Sequence, residues 1–497
     1  MKQIVKIISI ILAISTLAMG FFSCSDSSDR QTAVQNVSEG ESTDEQSDGT
    51  TRILPDLPER DFDGYTFRVI TKGEWDVHWK TRDIFAEELT GDPINDAVFN
   101  RNTKIGELYN FTILEIEEHS DYAGAAQRSI IANSDDYDML AIALSSMGSF
   151  STSGYVMDLK QVPYIDLEKP WYDQNANESL SIAGRLYATT GELMIMDNDA
   201  TWVLLFNKQM AGELQLPDLY EAVKNGTWTI DMLYECVTKA PRDLDGNSKM
   251  DESDQWGILG ESFNTFALCV GAGGRVVSKD QDDMPYISIN TPDFIATFEK
   301  AIRINDRNSD HCFYVSNYSG KYSDVWGECM DKMFSDGKVL FNFAGMNRVT
   351  LFRSMETDFG IVPVPKGSET QKEYYCPVSC WCASSIMIPN TVTDIERTGI
   401  IIEALSAESM YLLTPAYYEI SLKTKYARDD ESQEMLDIIF ASTVYDLGNI
   451  FDWGGVFSLP ANLTESASTD FASRYGKLEK SIMKNMEKTI EQYMENN

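Results

Sequence analysis

The sequence predicts an α/β protein, and two observations carry that expectation. Short strand-like runs alternate with helical periods from about residue 53 onward, the grammar of sheets flanked by helices. One run, Met139 to Leu144, is apolar at every position, as a strand buried on both faces of a parallel sheet requires. In such folds function gathers on the loops that leave the strand ends.

Taken in order, Tyr65, Phe67 and Val69 alternate with Thr66, Arg68 and Ile70, a strand period. A polar aromatic loop from Lys72 to Lys80 follows it. Ile94, Ala97, Val98, Ile105, Leu108 and Tyr109 recur at helical spacing, and Phe111 to Ile116 is a second strand. The Met139 run ends in Ser145 and Ser146. Val203 to Phe206 fits strand or helix, Thr229 to Lys239 a helix, and Val339 to Phe343 and Phe359 to Val364 two strands. Glu396 to Leu405 reads as a helix. Phe471, Tyr475, Leu478, Ile482, Met486, Ile490 and Tyr493 mark one apolar face of a long terminal helix.

The amino terminus has a different character. Lys2 and Lys6 precede an apolar stretch from Ile7 to Met19, and Gly20, Phe21, Phe22 and Ser23 lead to Cys24. This is the pattern of a secretory signal peptide over residues 1–23. The apolar stretch is too short for a permanent span. A small residue before cysteine suits lipoprotein processing, with Cys24 carrying the lipid and Phe21 standing where leucine is usual; ordinary secretion is the alternative. From Ser25 to Arg52 only Ala33, Val34 and Val37 are aliphatic, so this stretch cannot build a core and reads as a flexible tether.

The chain carries 78 acidic and 41 basic residues, a net charge of −37. Nucleic acid and anionic lipid surfaces are thereby disfavoured as partners of the folded body. Setting Cys24 aside leaves Cys236, Cys269, Cys312, Cys329, Cys376, Cys380 and Cys382, an odd number that cannot all pair. With only His78, His119 and His311 in the chain, Cys376, Cys380 and Cys382 do not complete a zinc set. They read as small core residues, with room for one disulfide. None of the three histidines sits in a catalytic motif, no phosphate-binding loop occurs, and nothing singles out a carboxylate pair among 78.

Several fragments, in their order, carry a resemblance. They are Asp136-Tyr137-Asp138-Met139-Leu140, Met157-Asp158-Leu159 and Gly184-Arg185-Leu186-Tyr187-Ala188. Phe206-Asn207-Lys208-Gln209-Met210, Leu216-Pro217 and Gly226-Thr227-Trp228-Thr229-Ile230-Asp231 follow. The most specific pair is Phe334-Ser335-Asp336-Gly337-Lys338-Val339 with Asp358-Phe359-Gly360-Ile361-Val362-Pro363-Val364-Pro365. This order resembles the family 1 extracellular solute-binding proteins of ABC importers. The resemblance implies a two-lobed, type II periplasmic-binding-protein-like fold with hinge crossovers and a central cleft. It places lobe 1 at 53–190 plus 380–422 and lobe 2 at 191–379 plus 423–497. It also implies a monomeric, non-enzymatic receptor in the cell envelope, anchored at Cys24, that hands a mono- or oligosaccharide to permease subunits. A surface sensor or adhesin, and a surface glycoside hydrolase or esterase, are the alternatives.

Indole rings present flat apolar faces to sugar rings and keep one N–H donor. Trp228 opens a helix and Trp256 follows an acidic loop, so both are expected in the core. The expected ligand residues are Lys72, Glu74, Trp75, His78 and Trp79 in the first loop, Ser145 and Ser146, and Asp197 and Trp202 after the first crossover. Met346, Asn347 and Arg348 after the Val339 strand, Trp381 near the second crossover, and Trp453 in a glycine-rich loop complete the set. For each of these, packing is the competing explanation.

The stretch Asp243, Asp245, Asn247, Lys249, Asp251 and Asp254 supplies oxygen at positions 1, 3, 5, 7, 9 and 12 of a twelve-residue loop, the spacing that wraps calcium, with Lys249 contributing its carbonyl. Gly246 stands at position 4 rather than 6, and Asp254 where a longer Glu is usual. A structural Ca2+ and a solvated acidic turn are both open. No organic cofactor is expected.

Overall fold

The computed structural model describes residues 52–76, 78–352, 355–422 and 430–495, without the side chains of 75, 76, 419–422, 430 and 432. The signal segment, Cys24 and the tether up to residue 51 lie outside the described residues.

Strand β1 (Tyr65–Thr71) is followed by a short hairpin, Glu74–Asp76 against Trp79–Lys80, where the sequence predicts a loop. Helix α1 (Pro93–Tyr109) starts where the Asp92 carboxylate accepts from the Ile94 and Asn95 amides and Pro93 fills the first turn. It stops at Asn110, whose φ of 53° ends the helix in the left-handed region. Strands β2 (Phe111–Glu117) and β3 (Met139–Ala141) both pair parallel with β1, in the order β2-β1-β3. The predicted strand at 139–144 is shorter than its apolar run. Ala143 makes a single bridge to Ser384, and Leu144–Ser146 turns into a 3-10 helix.

The chain then builds a second sheet. Its parts are β4 (Trp202–Asn207), α2 (Ile230–Lys239), β5 (Trp256–Gly260), α3 (Ser262–Gly271), α4 (Pro292–Ile304), β6 (Cys312–Tyr314), β7 (Val339–Gly345) and β8 (Phe359–Val362). The strand order is β6-β5-β7-β4-β8. Neighbours β6, β5 and β7 run parallel, and β4 is antiparallel to both β7 and β8. Every residue of β4 is buried, which settles its strand-or-helix ambiguity: a central strand needs no alternation. Trp228 and Trp256 are core residues as expected, their indole nitrogens donating to the Pro363 and Asp251 carbonyls.

The chain returns to the first sheet through a bridge from Met387 to Leu140, beside which Ile386 bridges Thr189. Helix α5 (Ile395–Leu422) then packs on α1, with Leu413, Ala416 and Tyr417 against Ile94, Ala97 and Val98. It runs well past the predicted end at Leu405 and through Pro415. Beyond Leu405 the buried positions turn polar, Ser406, Glu408 and Ser409. Ser409 receives the buried Arg101 guanidinium and Glu408 the Lys104 ammonium, so the apolar period breaks while the helix continues.

Helix α6 (Phe471–Glu495) follows its predicted face, burying Phe471, Tyr475, Ile482, Met486 and Tyr493. At one end Phe471 lies 5.2 Å from Phe298 of α4; at the other, the Tyr493 hydroxyl donates to Ser151 at 2.9 Å. Cys236, Cys269, Cys312, Cys329, Cys376 and Cys380 carry free, buried thiols, so the disulfide the sequence left room for does not form among them.

Candidate functional site

The sequence-predicted ligand residues divide among several places. His78 and Trp79 of the hairpin meet Trp202, Asn347 and Arg348 around one cavity of about 210 Å3. The hairpin leaves β1 of the first sheet, whereas Trp202 opens β4 and Asn347 and Arg348 follow β7 of the second, so the cavity is lined from elements adjoining both sheets. Lys72 is not in its wall. Buried and held down to about 8 by that burial, its ammonium donates to the Cys382 carbonyl and fixes the cavity edge behind the hairpin.

The wall is built by specific contacts. The Trp79 and Trp202 rings stack with centroids 6.3 Å apart and planes 12° apart, and the Trp202 indole donates to Asn264 at 3.2 Å. Gly345 makes that approach possible: a Cβ there would lie 3.0 Å from the Trp79 ring and 2.8 Å from the Asp199 carbonyl. His78 bridges the sheets. Arg348 donates to its Nδ1, which leaves Nε2 to face Asp324 at 3.1 Å, and Asn347 donates to the His78 carbonyl at 2.7 Å. The Arg348 Nε lies 3.4 Å from Asp331. Burial raises the Asp331 carboxyl against the pull of Arg348, and burial likewise raises Glu261, which accepts from the Trp326 indole at 3.4 Å.

Three buried polar atoms of this wall have no hydrogen-bond partner: Asp331 Oδ2, Asn342 Nδ2 and Asn347 Oδ1. Buried polar groups are almost always satisfied. All three residues line this one cavity.

Other expected residues stand elsewhere. Met346 is buried beneath the wall. Glu74 pairs with Lys80 on the hairpin surface at 2.6 Å, and the side chain of Trp75 lies outside the described residues. Ser145, Ser146 and Trp381 line a shallow groove of about 300 Å3 with Tyr122. Trp381 is 60% exposed there, and its neighbour Cys382 forms part of the cavity wall. Asp197 belongs to a separate cavity with Asp173 and Glu192, where burial raises its carboxyl and Thr190 donates to it at 2.9 Å. Trp453 is a correction: its indole donates to Thr489 at 2.8 Å and its ring stacks on Phe451, placing it in the core beside α6. Gly454 and Gly455, which follow it with φ of 59° and 86°, allow the tight turn that buries it.

Glu261, Trp326, Asp331 and Asn342 are site residues that the sequence reading missed. Asn342 had a signal, a lone amide inside the apolar run of β7. A larger cavity of about 740 Å3 holds none of the expected ligand residues, and the Arg275 guanidinium already covers the ring of its Tyr375.

The acidic loop closes on itself. Carboxylate oxygens of Asp243, Asp245 and Asp254 lie within 4.8 Å of one another. Amide donors shape it: Gly246 and Ser248 to Asp243, Asn247 to Asp245, and Leu244 and Asp251 to the buried Asp254. Asn247 and Asp251 accept from Lys249 and Ser253 along the same turn. Of the six expected ligand residues, three carboxylates come together, fewer than the six to eight oxygens that calcium takes.

No described helix is long and apolar enough to cross a membrane. No family model matches the chain, and no curated protein matches it. Solved structures do. A maltose/maltodextrin-binding domain, MalE, from Bdellovibrio bacteriovorus, bound to maltotriose, is 15% identical, covers 87% of this chain and 98% of its own, and has a TM-score of 0.50. UgpB from Mycobacterium tuberculosis, in complex with glycerophosphocholine, is 16% identical with the same coverage and a TM-score of 0.52. An ABC transporter solute-binding protein from Agrobacterium radiobacter, in complex with ribitol, is 12% identical, covers 86% of this chain and all of its own, and also scores 0.52. Together with the two sheets, the return of the chain to the first and the cavity between them, these likenesses identify the chain as having the two-lobed, type II periplasmic-binding-protein fold.

Proposed function

We propose that this protein is an extracytoplasmic solute receptor that captures a carbohydrate between its lobes and delivers it to an ABC importer. The observation that carries this is the cavity itself: the partly exposed Trp326 indole and the stacked Trp79 and Trp202 rings line it together with residues whose buried polar atoms lack partners. Flat apolar faces and a few directed polar groups are what a sugar ring requires, since its C–H face stacks while its hydroxyls need both donors and acceptors. The cavity joins His78 and Trp79 from one lobe to Trp202, Asn347 and Arg348 from the other. A solute that touches both lobes favours the closed arrangement by its differential affinity, a hinge motion. In this reading the lobes are 53–190 with 380–422 and 191–379 with 423–497, Cys24 carries the lipid anchor, and the acidic loop holds a structural calcium ion. Binding without turnover is the expected behaviour.

The test is calorimetric titration of the full-length protein with a panel of carbohydrates, followed by chromatography of the recovered solute. Saturable binding with quenched or shifted tryptophan fluorescence and unaltered sugar supports the receptor. Clear binding of an amino acid or peptide and of no carbohydrate overturns the carbohydrate assignment. Hydrolysis of the bound glycan, abolished by one carboxylate substitution, overturns the receptor reading.

A further inference from the structure

We infer that the cavity accepts a single uncharged sugar ring and that Asp331, Asn342 and Asn347 select it; the inference rests on the carbohydrate reading above. Size comes first. At about 210 Å3 the cavity falls below the roughly 300–1,000 Å3 that drug-sized ligands occupy. One ring matches that volume, and a longer chain would have to extend out through the cavity mouth.

Polarity comes next. The partnerless atoms are two acceptors, Asp331 Oδ2 and Asn347 Oδ1, and one donor, Asn342 Nδ2. Neutral hydroxyls both donate and accept, so a neutral sugar suits both kinds of atom. A buried polar group left unmade is more costly than the bond is favourable, so the site discriminates against solutes that cannot reach these atoms.

Charge is the third constraint. The cation in the wall is Arg348, and His78 accepts from it through Nδ1. Each already faces a carboxylate, Arg348 at Asp331 and His78 at Asp324. Glu261 adds a further acidic group. A uronic acid or sugar phosphate entering this wall would meet Glu261 and Asp331 with no uncommitted cation among the described lining residues.

The experiment is calorimetry on the full-length protein with neutral hexoses and pentoses, their di- and trisaccharides, hexuronic acids and hexose phosphates. A neutral monosaccharide is expected to bind at least tenfold more tightly than its oligomers and its acidic derivatives. Asn342→Leu should weaken that binding at least tenfold while the unfolding midpoint holds or rises, because it removes an unsatisfied buried amide of similar size. Oligosaccharides that bind more tightly than monosaccharides, acids that bind equally well, or unchanged affinity in Asn342→Leu would each overturn the inference and leave the receptor standing. If Asn342→Leu does not fold, Asn347→Ala decides, and unchanged affinity there overturns the selection. A panel in which only amino acids or peptides bind overturns the carbohydrate reading, and this inference with it.

Discussion

Replacing Trp326 with alanine separates a ligand platform from a packed ring. Trp326 is 44% exposed at the cavity and Trp202 only 8%, although both line the same wall. A tryptophan buries up to roughly 250 Å2. A ligand can therefore cover at most about 110 Å2 of Trp326, worth about 2.7 kcal/mol at ~25 cal/mol per Å2. Because a sugar covers one face, about half of that, or roughly tenfold in Kd, is the expected loss in Trp326→Ala. The ring's single hydrogen bond to Glu261 is long, so folding stability should change by less than about 1 kcal/mol. Trp202→Ala should instead cost about 3–5 kcal/mol of stability, since it empties a packed site between Trp79 and Phe263. Calorimetry for affinity and urea denaturation for stability give both numbers. Wild-type affinity in Trp326→Ala, or a Trp202→Ala variant that loses affinity with stability intact, would refute the division.

Three further outcomes follow from the structure. Glu403 is buried, accepts from the Tyr172 hydroxyl at 2.7 Å, and is pushed by burial from 4.5 up to about 7. The folded state therefore holds an extra proton between those values, so this group's contribution to stability is complete below about pH 4.5 and is lost as pH rises through about 7. Glu403→Gln should be more stable than wild type by up to about 3 kcal/mol near pH 8 and equal to it near pH 4, measured by denaturation across pH; a pH-independent difference would contradict this. Chelation should lower the melting temperature and added calcium restore it, by an amount equivalent to about 2.7 kcal/mol at a hundredfold excess over Kd. Asp245→Ala should abolish that response without changing solute affinity, and unchanged melting after verified ion removal would leave only a solvated turn. Gly345→Ala should weaken solute binding about threefold to tenfold, because the added methyl displaces the Trp79 ring; calorimetry with unchanged affinity would show that the ring position does not matter.

Local periodicity determined much of this protein. Apolar alternation and runs located β1, β2, β7 and β8 and left β4 open between strand and helix, and the 3.6-residue period located α1 and α6, because each element's buried face is written in neighbouring residues. The same signal failed where burial was polar: α5 continued past Leu405 on Ser406, Glu408 and Ser409, whose partners Arg101 and Lys104 lie three hundred residues away. Among the site residues, His78, Trp79, Trp202, Asn347 and Arg348 were legible as aromatic and polar groups on loops or strand ends. Trp453 had the same local appearance, yet α6 folds back over it and makes it core. Glu261, Trp326 and Asp331 were illegible in their own neighbourhoods, and Asn342 showed only as an odd amide in an apolar strand. What joins them is a cavity lined from elements adjoining two sheets assembled from distant parts of the chain, and only that assembly decides which polar atoms lose water without gaining a protein partner.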